Sequence, residues 1–204
     1  MEFISLLYYL GNLTIEGEDV GGWLVFRIPN KVIAELYWEY YAYLLEQEAQ
    51  WEDAVNTVPM AIRQMALSGN AQAFFEELEA LLQRLSNRDF RRMGEKHVKM
   101  VMMALLMQGG IFDIYSEREL EGGGYVDMEL YVRANSLKEH HQFALEVKYL
   151  RKEQEGFLAE VMERAKGQIL GYYRQDSFLQ NKRLLHLLVV VVVNDKVYWE
   201  EVFY

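Results

Sequence analysis

The chain of 204 residues contains no cysteine, only two prolines and no apolar run long enough to cross a membrane. The absence of cysteine excludes disulfides and thiolate metal sites, which suits a reducing compartment such as the cytoplasm. The amino-terminal segment lacks the basic start and the small-residue cleavage site of a signal peptide. The longest apolar run, at residues 187–193, is typical of a strand buried on both faces. The sequence therefore predicts a compact cytoplasmic protein with no membrane partner.

Positive charge is scarce in the first part of the chain. Residues 1–90 carry 5 Lys+Arg against 14 Asp+Glu, a balance of −9, whereas residues 91–204 carry 16 against 17, a balance of −1. Because phosphate binding depends on lysine and arginine, the acidic part is a poor candidate for contact with nucleic acid. It suits a partner protein or a second copy of the chain. The near-neutral part leaves a nucleic-acid substrate open.

Hydrophobic periodicity divides the chain into two regions. Residues 1–90 are predicted to be mainly helical, with helices over 31–50 and 70–85 and a β-hairpin around the glycine-rich turn at 17–22. Residues 91–204 change repeatedly between helix and strand spacing, which is typical of an α/β domain with a mixed sheet. Their predicted elements are a helix at 92–108, strands at 112–119, 125–132 and 142–150, a helix at 156–175, and strands at 184–193 and 196–203. The element order is αβββαβ with a trailing strand.

Charged side chains stand on the polar faces of two consecutive predicted strands. Because strand side chains alternate, Glu146 and Lys148 share one face, and Asp127 lies on the face opposite to Val126 and Met128. A symmetric hairpin between the strands places Asp127 opposite Glu146. Two carboxylates so close need a cation between them, and Mg²⁺ takes oxygen ligands. The pattern predicts a divalent-metal site with Lys148 beside it.

Asp127 and the Glu146-Val147-Lys148 tripeptide resemble the D…ExK core of the PD-(D/E)xK nuclease superfamily. The resemblance implies a restriction-endonuclease-like fold, with a mixed sheet flanked by helices. It also implies hydrolysis of nucleic acid, with DNA favoured, by Mg²⁺ or Mn²⁺ held by Asp127, Glu146 and the Val147 carbonyl. Lys148 would assist the attacking water. Glu95 matches a glutamate that many members carry on the first helix, which adds it to the implied catalytic set, where it would orient a water or support a second metal ion.

Further resemblances concern the later helix and the amino-terminal segment. Gln168 and Tyr172 match a Q-x-x-x-Y pattern of some members, which implies a supporting role. The lysine and aromatic residue that usually follow are shifted or missing here. The segments LLYYLGNLTI and IPN resemble bacterial proteins in which an AAA-type ATPase-like domain precedes the nuclease-like domain. No GxxxxGK[ST] phosphate-binding loop occurs in this sequence.

The residues leave other interpretations open. Superfamily members sometimes lose activity, so the alternative is an inactive nuclease-fold module whose acidic region binds a partner protein or another copy of itself. Removing one of the crowded carboxylates is expected to stabilise the metal-free protein. Glu129 is interpreted as a solvated partner of a basic residue, and the histidines show no metal-ligand spacing. A cluster of methionines on the predicted helix at 92–108 is interpreted as part of the hydrophobic core: Met100, Met102, Met103 and Met107.

Overall fold

The computed structural model describes residues 2–19, 21–30, 54–85, 93–133 and 140–204, with scattered positions between 32 and 44. The predicted helix at 31–50 therefore lies mostly outside the described residues. Within the described part of the chain, no helix is both long and apolar enough to span a membrane.

A helix and a two-stranded hairpin form the amino-terminal region, in agreement with the sequence. The elements are α1 (Glu2–Tyr9), β1 (Thr14–Glu18) and β2 (Leu24–Arg27). The turn of the hairpin is held by Asp19, whose side chain accepts hydrogen bonds from the N–H groups of Gly21 and Trp23. Large apolar side chains remain exposed here, 84% for Tyr9 and 74% for Trp23. Among the described residues, none before Val58 belongs to the buried core.

Three helices cover one face of the sheet. They are α2 (Ala54–Ser68), α3 (Gln72–Arg84) and α4 (Glu95–Gln108). In α4 the stripe of Val98, Met102 and Leu106 repeats once per turn and is fully buried. Met100 is 39% exposed because it lies off this stripe, so its prediction as a core residue was wrong. Met102 is buried as predicted.

A five-stranded mixed sheet forms the centre of the molecule. Its strands are β3 (Phe112–Glu119), β4 (Tyr125–Val132), β5 (Gln142–Leu150), β6 (Leu185–Val193) and β7 (Lys196–Val202). They are ordered β3-β4-β5-β6-β7, and β5 and β6 are the parallel pair. That pair needs a crossover, which α5 (Leu158–Gln175) supplies together with the short helix α6 (Ser177–Gln180). The predicted αβββαβ order and mixed α/β fold are confirmed.

Each face of the sheet carries its own hydrophobic core. Helices α2, α3 and α4 pack on the face that includes Val190 and Val192, whereas α5 packs on the face that includes Val189 and Val191. Strand β6 is therefore buried on both faces, as its apolar run predicted. Because α2 and α3 share a core with α4, the described part of the helical region packs directly onto the sheet. The division of the chain at residue 90 stays a prediction.

Candidate active site

The regular pairing of β4 is interrupted at Asp127. Strand β3 pairs with the residues on either side of Asp127 but not with Asp127 itself. The ladder to β5 begins at Met128, which lies opposite Leu145. This is the predicted register, although Asp127 and Glu146 form no backbone pair. Glu117, the β3 residue across from Asp127, has a left-handed φ of 55°, which is unusual for a residue with a side chain.

The interruption also changes the side-chain alternation of β4. Val126 packs in the core beneath α5, whereas Met128 and Leu130 pack in the core beneath α2, α3 and α4. The expectation that Val126 and Met128 share one face was therefore wrong. Strict alternation requires an unbroken ladder, and the β3–β4 ladder is interrupted at Asp127.

Asp127 is held through both of its carboxylate oxygens. Oδ2 accepts a hydrogen bond of 2.9 Å from the backbone N–H of Val147 and lies 3.7 Å from Nζ of Lys148. Oδ1 accepts a hydrogen bond of 3.1 Å from Nζ of Lys99 on α4. The carboxylate therefore connects the open end of the β4–β5 hairpin to the helix above it.

The ammonium group of Lys148 lies among three carboxylates. Its Nζ donates to Oε1 of Glu146 at 2.6 Å and is 3.7 Å from Oδ2 of Asp127. It is also 3.7 Å from Oε2 of Glu95, in the first turn of α4. The four residues of the predicted catalytic set thus converge on one nitrogen atom. Each of these three carboxylates is close enough to Nζ of Lys148 to form an ion pair with it.

Glu146 is nearly inaccessible, with 1% of its surface exposed. Burial raises the pKa of its carboxyl group to about 7; the hydrogen bond from Lys148 opposes this rise, and the charges of Asp127 and Glu95 add to it. Oε2 of Glu146 is buried and has no hydrogen-bond partner among the described residues. An unpartnered buried carboxylate oxygen is costly, so a cation bound there would stabilise the site.

The pKa of Lys148 is raised. Burial alone would lower it, but the hydrogen bond to Glu146 and the charges of Glu146, Asp127 and Glu95 outweigh burial. Lys148 therefore carries a positive charge at neutral pH in the metal-free protein. In the structure, the Lys148 ammonium group thus supplies the positive charge that the sequence analysis assigned to a metal ion between Asp127 and Glu146.

Lys99 is a member of the site that the sequence analysis missed. It is 6% exposed, and its Nζ donates to Oε1 of Glu117 at 2.9 Å as well as to Asp127. Burial would lower the pKa of Lys99, but these two hydrogen bonds and charges raise it. One signal was present in the sequence, a lysine one helical turn after Glu95 within an otherwise apolar stretch. Its acidic partners lie on β3 and β4 and could not be read from helix spacing.

The predicted supporting residues lie outside this cluster. Nε2 of Gln168 donates to the Tyr172 hydroxyl at 2.8 Å on α5. Gly124, in the turn before β4, adopts a φ of +93°, and a Cβ there would lie 2.9 Å from the Tyr172 ring. The ring thus packs against the turn that leads to Asp127. In the described structure, no hydrogen bond or ion pair joins Gln168 or Tyr172 to the carboxylates.

Glu129 belongs to a second, separate ionic cluster. Both of its oxygens accept hydrogen bonds from Arg118, at 2.7 and 2.8 Å, and Arg118 also donates to Asp176 at 3.1 Å. Glu129 and Asp176 are both fully buried. Glu129 is thus the partner of a basic residue as predicted, but the prediction that it is solvated was wrong. The bidentate guanidinium offsets the cost of burying it.

Two of the four histidines interact with each other. Nδ1 of His141 lies 2.7 Å from Nε2 of His186, whose Nδ1 lies 2.6 Å from Oε1 of Glu201. In the described ranges, no group of three or more histidine, aspartate or glutamate side chains is placed to hold a metal ion. A metal site at Asp127 would therefore be built on two carboxylates and backbone or solvent oxygens.

Comparison with known families gives a match over the part of the chain that carries this site. A family model described as PD-(D/E)XK nuclease superfamily matches residues 93–202, which include α4, all five strands of the sheet and the carboxylate cluster. No curated protein matches the chain. Since the family match covers more than half of its length, the chain belongs to the PD-(D/E)XK nuclease superfamily.

Proposed function

We propose that the chain is a metal-dependent nuclease that hydrolyses phosphodiester bonds, with DNA as the favoured substrate. The supporting observation is the unpartnered, buried Oε2 of Glu146 in a cluster that also holds Asp127 and Lys148. Membership of the superfamily supports nuclease chemistry in general. The metal, the substrate and the residue roles are our proposal.

Asp127, Glu146 and the Val147 carbonyl would hold the ion. All three provide oxygen ligands, which suit Mg²⁺ or Mn²⁺. The N–H of Val147 donates to Asp127, and the N–H and C=O of one strand residue point to the same neighbouring strand. The Val147 carbonyl therefore faces β4 beyond the end of the β4–β5 ladder. When bound, a divalent ion polarises the scissile phosphate and lowers the pKa of a bound water.

The side chains of the site would supply orientation and charge. Lys148 lies beside both carboxylates, so its ammonium group offsets the negative charge that develops on the phosphate and orients the attacking water. The raised pKa of Lys148 favours this charged role over that of a base. Glu95 retains 39% exposure of its side chain and would orient a second water at the mouth of the site.

The first prediction is cleavage itself. Purified protein incubated with supercoiled plasmid, single-stranded DNA and RNA in Mg²⁺ or Mn²⁺ is expected to cut at least one substrate, with plasmid DNA favoured. A chelator should stop the reaction. The comparison of the three substrates identifies the preferred nucleic acid. Failure to cut any of them, together with failure to bind either metal, would overturn the proposal.

The second prediction concerns pH. The raised pKa of Glu146 means that the folded protein binds a proton more tightly than the unfolded chain. The contribution of this group to the stability of the metal-free protein therefore falls as the pH rises from 4.5, the ordinary pKa of the carboxyl group, to about 7. Metal binding needs the carboxylate, so Mn²⁺ affinity should weaken by about tenfold per pH unit below 7.

Titration of the protein with Mn²⁺ at pH 6 and pH 8 measures this dependence. Glu146→Gln, which cannot ionise, should bind Mn²⁺ weakly at both values and lose the pH dependence. Equal wild-type affinities at pH 6 and pH 8 would show that Glu146 is not a ligand.

The amino-terminal region favours a second candidate, an interaction module. The exposed side chains of Tyr9 and Trp23 lie in a strongly acidic part of the chain, which suits a partner protein or a second copy. Under this proposal, loss of Asp127 changes no function.

The cytoplasmic location and the association with an ATPase-like domain also stay predictions.

A further inference from the structure

The charges around Asp127 form one ion-paired cluster. It contains four carboxylates and two ammonium groups: Glu95, Glu117, Asp127 and Glu146 against Lys99 and Lys148. With every group ionised, the cluster has an excess of two negative charges. This excess equals the charge of one divalent cation.

The two oxygens of Asp127 have different surroundings. Oδ1 accepts from Lys99, which is 6% exposed and is held in place by Glu117. A second divalent ion on this oxygen would lie beside a fixed ammonium group and be repelled. Oδ2 accepts a hydrogen bond from Val147 and has a further lone pair to offer. The ammonium group of Lys148 lies 3.7 Å from Oδ2, beyond hydrogen-bond distance, and its side chain is 25% exposed, so it has room to move aside for an ion. Among the described residues, the side of Asp127 that faces Glu146 is therefore the one open to a metal ion.

We infer that Lys99 is a positioning residue that acts as an internal cation and limits the site to one divalent ion. The inference rests on the proposed metal-dependent function. Lys99 would not contact the substrate. It orients Asp127 through Oδ1 and supplies the positive charge that a second metal would otherwise bring.

The number of bound ions tests this directly. Mn²⁺ binding to the full chain without nucleic acid can be counted by electron paramagnetic resonance, which reports free ion. The wild type should bind one Mn²⁺ per chain, and Asp127→Asn should remove it. Lys99→Met, in which the new side chain is similar in length but uncharged, should bind two Mn²⁺ ions. The first of them should bind about tenfold more tightly than the single ion of the wild type. Lys96→Met is the matched control, since Lys96 is exposed on the same helix; its substitution should leave the number of bound ions unchanged and the affinity within about twofold.

A second variant keeps the test valid if Lys99→Met does not fold. The Glu117 side chain is 56% exposed and contacts Lys99 rather than the open side of Asp127. Glu117→Gln removes one negative charge while Lys99 stays, so it should still bind one Mn²⁺, several-fold more weakly.

Two Mn²⁺ ions at the wild-type site would overturn the inference, as would unchanged Mn²⁺ binding in a folded Lys99→Met variant. In either case cleavage and metal dependence would remain, so the proposed function would survive. Absence of both Mn²⁺ binding and cleavage would instead reject the proposed function, and this inference with it.

Discussion

Replacing Asp127 by asparagine is expected to slow nucleic-acid cleavage by orders of magnitude and to destabilise the metal-free protein. The substitution keeps the size of the side chain but removes a charged metal ligand. If the ion loses about 4 kcal/mol of its stabilisation of the transition state, the rate falls roughly a thousandfold. The plasmid-nicking rate at saturating Mg²⁺ measures this change.

The sequence alone and the structure predict opposite signs for this change in stability. From the sequence, two crowded carboxylates repel each other, so removing one is expected to stabilise the protein. In the structure, Asp127 instead accepts hydrogen bonds through both oxygens, from the buried Lys99 ammonium group and from the Val147 N–H. Asp127→Asn keeps only one acceptor oxygen for these two donors, so one buried donor loses its partner, which should cost about 2 kcal/mol of unfolding free energy. Urea denaturation in the presence of a chelator measures it.

Asp113→Asn is the matched control for both measurements. Asp113 lies on the neighbouring strand β3 and pairs with Arg133, away from the carboxylate cluster. Its substitution should leave the cleavage rate within about twofold, because no transition-state interaction is lost. If Asp127→Asn cleaved at the rate of Asp113→Asn, the catalytic assignment would be wrong and the inactive-module alternative would gain support.

Replacing Arg118 by methionine should destabilise the protein more than replacing Asp127 by asparagine. Arg118 is the counter-ion of Glu129 and Asp176, and both carboxylates are fully buried. Its removal leaves two buried negative charges without the cation that donates hydrogen bonds to both, which costs about 4 kcal/mol. Since whole domains are stable by only about 5 to 15 kcal/mol, the variant should unfold at a far lower urea concentration.

Two further variants define the cause of that loss. Arg27→Met breaks the ion pair with Glu16, whose side chain is 53% exposed, and should leave the unfolding midpoint nearly unchanged. Combining Arg118→Met with Glu129→Met removes one of the buried charges, so the double variant should be more stable than Arg118→Met. A single variant as stable as Arg27→Met, or a double variant less stable than the single, would contradict this account.

Local sequence patterns predicted the fold more completely than they predicted which residues form the site. The bounds of the strands follow from alternation, from the continuous apolar run of β6 and from the glycine and asparagine breaks, and the hairpin register follows from its symmetry. Lys99 was missed because its position depends on a break in β4 that alternation does not reveal. The Arg118–Asp176 pair joins residues 58 positions apart, a contact that no local period encodes.

The burial of β6 on both faces has a consequence outside the folded state. Its run of hydrophobic residues carries no charge and no proline, and such segments readily form intermolecular cross-β structure when they are exposed. In the native sheet β5 and β7 occupy both of its edges, so its backbone is shielded. Because β6 follows β5 along the chain after two intervening helices, a growing chain presents β5 with one edge unpaired until β6 emerges from the ribosome. The same strand that completes the core is thus the segment most in need of protection during synthesis.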